Sequence, residues 1–263
     1  MTVSTVTSPD GTRIAYERHG EGAPVLLVGG AMSTREAGVP LARELARLGM
    51  CGIAYDRRGR GDSGDTAPYA PEREAEDLVA VARAVSGGGE VPAFGMSSGG
   101  FVLLEAVRAG APLSRIVLFE PPFTGAAGQP QPPGHLARLA ELTARGESGE
   151  AIAYFMTEVV GLSPEAAEGA RQSPGWEGLK KLAPTLVHDM TLMGDGTLPA
   201  ADLARVKLPV LVLSSSASTP VLQEGARRTA EALPEGRFRS LPGGFHEVPV
   251  GDLAPVVRDF VTG

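Results

Sequence analysis

The stretch PVLLVGG, residues 24–30, is apolar at consecutive positions and stops on two glycines. A strand with one face in water alternates; a short unbroken run marks a strand buried on both faces. The signature returns at CGIAYD (51–56), VPAFG (91–95), SRIVLFE (114–120) and PVLVL (209–213). TRIAYERHG (12–20) alternates like a strand, and a short strand is predicted at 237–241. Helical periods fall between them. Over 34–48, Leu41, Leu45 and Leu48 share one face and Gly49 is the stop. Over 71–85, Pro71 and acidic residues open a helix with Leu78, Val81, Ala82 and Val85 on one face, and Gly87 ends it. Further helices are predicted at 101–110, 220–233 and 250–261. Strand–helix alternation on this scale implies an α/β fold: a mostly parallel central sheet with helices on both faces.

The alternation lapses in the middle of the chain. FTGAAGQPQPP (123–133) reads as a linker, and helical pieces follow at about 135–145, 150–160, 164–171 and 176–193 without a buried strand. The expected organisation is one core domain from 1–122 and 206–263, interrupted after the sixth strand by a helical cap or lid over 123–205. Connections this long often carry function.

Composition narrows the class. The 263 residues are 43% hydrophobic and 21% charged, ordinary for a globular protein with a large core. Net charge is −7, and the only basic cluster is DRRGR at 56–60, which argues against nucleic acid as a partner. No apolar run is long enough to span a bilayer, and MTVSTVTSPDGTR has no apolar signal core, so no membrane partner and a cytoplasmic location are expected. The single cysteine, Cys51, lies in a strand and reads as a small core residue. Neither a cofactor nor a metal is expected, since no His/Asp/Glu group has ligand spacing and the glycine runs fit neither a dinucleotide fingerprint nor a P-loop. Homodimer formation is left open.

The hexapeptide GMSSGG (95–100) fits G-x-S-x-G around Ser97. With 35 glycines and 16 serines, chance alone supplies roughly 0.3 such matches in a chain this long. Context raises its weight: Ser97 falls between a strand and a helix, where a sharp turn holds a serine in strained backbone. Taken with VLLVGG before it, DRRGRGDSG after the following strand and GGFHEVP near the C-terminus, the chain resembles the α/β-hydrolase superfamily from about residue 12 to 261.

The resemblance implies a serine hydrolase. Ser97 would be the nucleophile and His246, in the loop after the last strand, its base. The backbone N–H of Ser98 and that of Ala31 would form the oxyanion hole. The family commonly has His-Gly where Gly29-Gly30 stand, so one side chain that often braces this loop is absent. The family's acid often follows the strand equivalent to PVLVL, but here SSSASTP (214–220) holds no carboxylate. Glu120, closing the strand IVLFE, is the preferred substitute, ahead of Glu247 beside His246; a backbone or arginine partner is its competing role.

Other residues read as structural. Asp56 should anchor its turn. Arg57 and Arg58 should form a solvated ion-pair network with the acidic helix at 72–77. His19 is expected in a solvated turn, and His135 exposed at the start of a cap helix. His188-Asp189 reads as a packed or capped pair. Leu186, Met190 and Met193 share one face of the helix at 178–193, with His188 beside it. Met32, Met96, His188 and Met190 are therefore candidate substrate contacts around a largely apolar pocket.

The expected activity is cleavage of an ester, lactone, thioester or related acyl bond of a small to medium, largely apolar molecule. The alternative is a non-hydrolytic protein on the same fold: a cyclase or lyase, a cofactor-free oxygenase or perhydrolase, or a small-molecule receptor. Epoxide hydrolase and haloalkane dehalogenase chemistry is set aside, because those branches use an Asp where Ser97 stands.

Overall fold

The structure, a computed structural model, describes residues 3–263. Its strands are β1 (Ser4–Thr7), β2 (Arg13–His19), β3 (Ala23–Val28), β4 (Met50–Tyr55), β5 (Val91–Met96), β6 (Leu113–Phe119), β7 (Val210–Ser215) and β8 (Gly236–Leu241). They form one eight-stranded sheet in the order β1-β2-β4-β3-β5-β6-β7-β8. The pairs β1–β2 and β2–β4 are antiparallel; every pair from β4 to β8 is parallel.

Period-two alternation divides each buried strand between two cores. Leu26, Val28, Ile116, Leu118, Val210 and Val212 point to one face. They pack under α2 (Pro71–Ser86), α3 (Ser98–Arg108) and α10 (Pro220–Ala232). Val25, Leu27, Val117, Phe119, Leu211 and Leu213 point to the other, against α1 (Val39–Arg47) and α11 (Val250–Thr262). This two-sided burial explains why the strands read as unbroken apolar runs.

Between β6 and β7 the chain forms α4 (His135–Ala144), α5 (Ser148–Tyr154), α6 (Pro164–Arg171), α7 (Trp176–Leu182), α8 (Leu186–Met193) and α9 (Ala200–Leu203). Leu139, Leu142, Ile152, Phe155, Trp176, Leu186 and Met190 make a third apolar cluster, on which Ala31 and Met32 also pack. Leu203 and Val206 at its far end belong instead to the sheet's own core.

Some boundaries differ from expectation. β1 has no apolar alternation of its own and exists through its pairing with β2. The span 34–48 divides into a 3₁₀ turn at Arg35–Gly38 and α1, which takes Pro40 in its first turn, where a missing N–H costs nothing. Pro184 likewise divides 176–193, with a 3₁₀ turn at Ala183–Thr185. A π-helical turn at Phe155–Val159 ends α5.

Two histidines are buried, contrary to expectation. His19 is the last residue of β2 and 1% exposed, because β2 lies inside the sheet between β1 and β4. His135 is buried with its Nδ1 2.9 Å from the Tyr154 hydroxyl. Position in a helix or turn did not reveal the layer packed above either one.

Candidate active site

β3 runs on to β4 at one side of it and is flanked by β5 on the other. Chain order reverses there, and the crevice at the carboxyl ends of such strands is where open α/β sheets bind ligands. The loop after β3 and the turn after β5 meet at that crevice. Gly99 lets them do so: a Cβ on it would lie 2.4 Å from the Val28 carbonyl oxygen.

Four non-glycine residues among those described have positive φ: Met32 (55°), Ser97 (53°), Glu120 (44°) and His246 (52°). They follow β3, β5, β6 and β8, all at the same end of the sheet. Each such residue costs about 1–3 kcal/mol and persists only where its surroundings enforce it. Ser97 sits at φ 53°, ψ −124°, with its N–H bonded to the Phe119 carbonyl at 2.9 Å. Ser98 opens α3, so its own N–H has no carbonyl four residues back within the helix.

Ser97, Met32, Met96, Ala31 and His246 all border one cavity of about 990 Å³. Its walls are mostly apolar, with Phe155, Val159, Leu162 and Met193 from the helical segment, Val221 and Leu222 from the first turn of α10, and Phe245 from the loop after β8. Glu158 and Glu247 stand on its border too, and both are exposed.

Glu120 is fully buried and lies 2.6 Å from His246 Nδ1 through Oε2. Its other oxygen accepts the Ser215 N–H at 2.7 Å and the Ser214 hydroxyl at 3.2 Å. The serine run that lacks a carboxylate thus supplies donors to the carboxylate of the neighbouring strand. Burial alone would raise the Glu120 carboxyl. The His246 ring, the Ser218 hydroxyl and the Ser215 amide outweigh it and hold the group below its ordinary value of 4.5. A carboxylate at Nδ1 accepts a hydrogen bond from that nitrogen and so keeps the ring's proton there, which leaves the Nε2 lone pair free as an acceptor. The ring keeps 22% exposure and stacks on Phe119, centroids 5.7 Å apart.

His188 and Met190 do not reach the cavity. Met190 is buried in the apolar cluster of the helical segment. His188 stacks flat on Tyr69, centroids 4.0 Å apart, with Nε2 3.7 Å from Asp65. Burial pulls its pKa below 6.5 against the pull of Asp65, Glu74 and Asp189. Helical spacing places these residues near Met193, but α8 turns only Met193 toward the cavity.

The arginines after β4 are not solvated. Arg57 is 2% exposed and grips Glu74 with both arms of its guanidinium, at 2.7 and 2.6 Å. It also reaches Asp189 at 2.9 Å. Arg58 is 1% exposed, doubly bonded to Asp77 at 2.8 Å. Arg60 is 2% exposed and bonds Asp189 at 2.8 Å. The acidic partners from 72–77 are those expected; the third layer of helices, with Asp189 in it, is what removes the water. Burial raises the Asp189 and Glu74 carboxyls, but Arg60 and Arg57 around the first and Arg57 beside the second overcome it, and both lie below their ordinary range. Asp56 anchors its turn as expected, accepting the Arg35 and Asp62 amides at 2.7 and 3.0 Å. Arg60 closes the DRRGR cluster at 56–60, and three arginines in four positions beside an acidic helix are the only signal the sequence carries for its burial.

The family model described as Alpha/beta hydrolase family matches residues 25–258. The chain is a member of the alpha/beta hydrolase family. An alpha/beta hydrolase from Sphaerobacter thermophilus DSM 20745 is 46% identical, with a TM-score of 0.92 over 98% of this chain and 99% of that one. An esterase from Thermogutta terrifontis superposes with a TM-score of 0.73 at 22% identity, covering 99% and 97% of the two chains. An esterase from Exiguobacterium antarcticum does so with a TM-score of 0.73 at 19% identity, covering 99% and 98%. These two share the fold with this alpha/beta hydrolase. No curated protein sequence is significantly similar to it. No group of three or more His, Cys, Asp or Glu among the described residues is arranged to hold a metal, and no helix there is long and apolar enough to cross a membrane.

Proposed function

We propose that this alpha/beta hydrolase cleaves an ester or related acyl bond of a small to medium, largely apolar molecule through Ser97, His246 and Glu120. The observation that carries the reading is the 2.6 Å contact between buried Glu120 and His246 Nδ1, on the rim of the cavity that Ser97 also borders. His246 Nε2 accepts the Ser97 proton as Oγ attacks the substrate carbonyl. The oxygen gains negative charge and is held by the N–H groups of Ala31 and Ser98, the latter at the positive end of α3. Collapse of the intermediate expels the leaving group, which takes the proton from His246. Water then attacks the acyl-enzyme, giving its proton to the same ring, and collapse of this second intermediate releases the acid as Ser97 Oγ leaves and takes that proton back. Glu120 stays ionised throughout and stabilises the imidazolium.

Residues 123–205 act in this reading as a cap whose Phe155, Val159 and Met193 close the cavity above Ser97, with Met32 and Met96 as adaptable substrate contacts. The apolar walls and the acidic border select neutral acyl groups. Incubation with a fluorophosphonate and with p-nitrophenyl esters of increasing chain length tests the proposal. Labelling and turnover that vanish in Ser97→Ala support it. Wild-type protein that binds an ester without turning it over would instead be a receptor.

A further inference from the structure

The loop that carries Ala31 lacks a bracing side chain at Gly29-Gly30, yet its peptide is held from behind. The Gly30 carbonyl accepts Arg60 Nη1 at 2.6 Å and the Ser33 hydroxyl at 2.7 Å. A trans peptide is planar, so its C=O and the following N–H point in opposite directions. Drawing the Gly30 oxygen toward Arg60 therefore turns the Ala31 N–H the other way, and Ala31 borders the cavity. Glycine gives this close approach, since a Cβ at 30 would lie a tight 3.0 Å from the Ser97 Cβ and 3.1 Å from the Met96 oxygen.

The same charges hold the other donor. Asp189 Oδ2 bonds Arg60 Nη2 at 2.8 Å, while Oδ1 accepts the Ser98 hydroxyl at 2.8 Å and Arg57 Nη1 at 2.9 Å. Arg57 Nη1 also donates to the Ser98 hydroxyl oxygen at 3.0 Å. Asp189 and Ser98 are wholly buried, and Arg57 and Arg60 are each 2% exposed. A single carboxylate from α8 thus fixes Ser98 directly and the Gly30–Ala31 peptide through Arg60.

We propose that Arg60 is a positioning residue: anchored by Asp189, it aims the Ala31 N–H at the developing oxyanion. This rests on the acyl-transfer reading above. Nothing in it requires Arg60 to touch substrate, so its removal should weaken transition-state binding and leave ground-state binding alone.

Arg60→Met keeps the unbranched apolar stem, removes the guanidinium, and leaves Asp189 paired with Arg57. Losing an oxyanion donor outright costs about 10²–10³ in kcat, so losing its orientation should cost about 10–10². With p-nitrophenyl butyrate, kcat should fall by that factor and KM stay within about threefold. The Ki of a trifluoromethyl ketone, which forms an oxyanion on Ser97, should rise by the same factor as kcat falls. Arg60→Lys should not rescue, since an ammonium lacks the fork that reaches Gly30 and Asp189 together. Ser33→Ala removes only the second bond to the same carbonyl, touches no buried charge, and should lower kcat in the same sense by less. If Arg60→Met does not fold, Arg60→Lys and Ser33→Ala decide. Wild-type kcat and Ki in folded variants, or a change confined to KM and Tm, overturns the proposal. Ser97→Ala run in parallel separates the two readings. If it hydrolyses as well as wild type, the acyl-transfer reading falls and this one with it. If Ser97→Ala alone is dead, only the role of Arg60 is refuted.

Discussion

On the His246 side of Ser97, the ring is 22% exposed and a single carboxylate stands behind it. On the Asp189 side, Arg57, Arg60, Glu74 and Asp189 are sealed, none more than 2% exposed. The first side is held by strained backbone at Ser97, Glu120 and His246. The second is held by two positive and two negative charges that satisfy one another. In the proposed reaction His246 passes protons to substrate and water, so it must be reachable, and tight turns bring it to the cavity. A group that fixes backbone direction must not move. Opposite charges without water are suited to that, though burying them gains little net stability.

The largest expected effect breaks the reachable side. Glu120→Gln keeps the shape but removes the charge that orients His246, and kcat should fall by about 10³–10⁴. Tm should change little, because Ser215 and Ser214 still have an acceptor; steady-state kinetics beside thermal denaturation checks both. Glu74, sealed but bonded neither to Ser98 nor to the Gly30 carbonyl, should respond the other way round. Glu74→Ala leaves Asp189 as the one carboxylate on Arg57 and should cost about 3–5 kcal/mol in urea unfolding, with activity falling as the folded fraction falls. If Glu74→Ala lost activity while keeping its unfolding midpoint, the division of labour between the two sides would be wrong.

A third experiment places the cavity wall. Met193→Trp fills space over Ser97 and should lower kcat/KM for long p-nitrophenyl esters about tenfold relative to the acetate. His188→Phe, which keeps the stack on Tyr69 and lies off the cavity, should leave that chain-length profile unchanged. The smallest effect concerns pH. His188 titrates below 6.5 in the fold, so the unfolded chain binds its proton first as pH falls. Stability from this group is therefore complete above pH 6.5 and drains away as pH drops below it. Tm measured from pH 8 to 5 should decline in wild type and decline less in His188→Phe.

Much of this was legible in the chain. Unbroken apolar runs at 24–28 and 116–119 announced strands covered on both faces, and the turn at Ser97 was visible because glycines stand at fixed offsets on either side of it. Glu120 stood out only through the family resemblance, which allows an acid at the end of this strand where SSSASTP offers none. What failed was solvent exposure. The sequence pairs Arg57 and Arg58 with acids at 72–77, but it gives no sign that α8, more than a hundred residues on, meets Arg57 through Asp189. His188 and Met190 failed for a related reason: a helical face known only by its period has no address until the helix has a neighbour.

Local patterning by itself determined the strands, the helices and the serine's turn, because periodicity and backbone strain act over a few residues. The meeting of Glu120 with His246, and of Arg60 and Ser98 with Asp189, was decided only by the tertiary structure. Those contacts span 126, 129 and 91 positions of chain. No short-range rule reaches that far; packing the layers on either side of the sheet does.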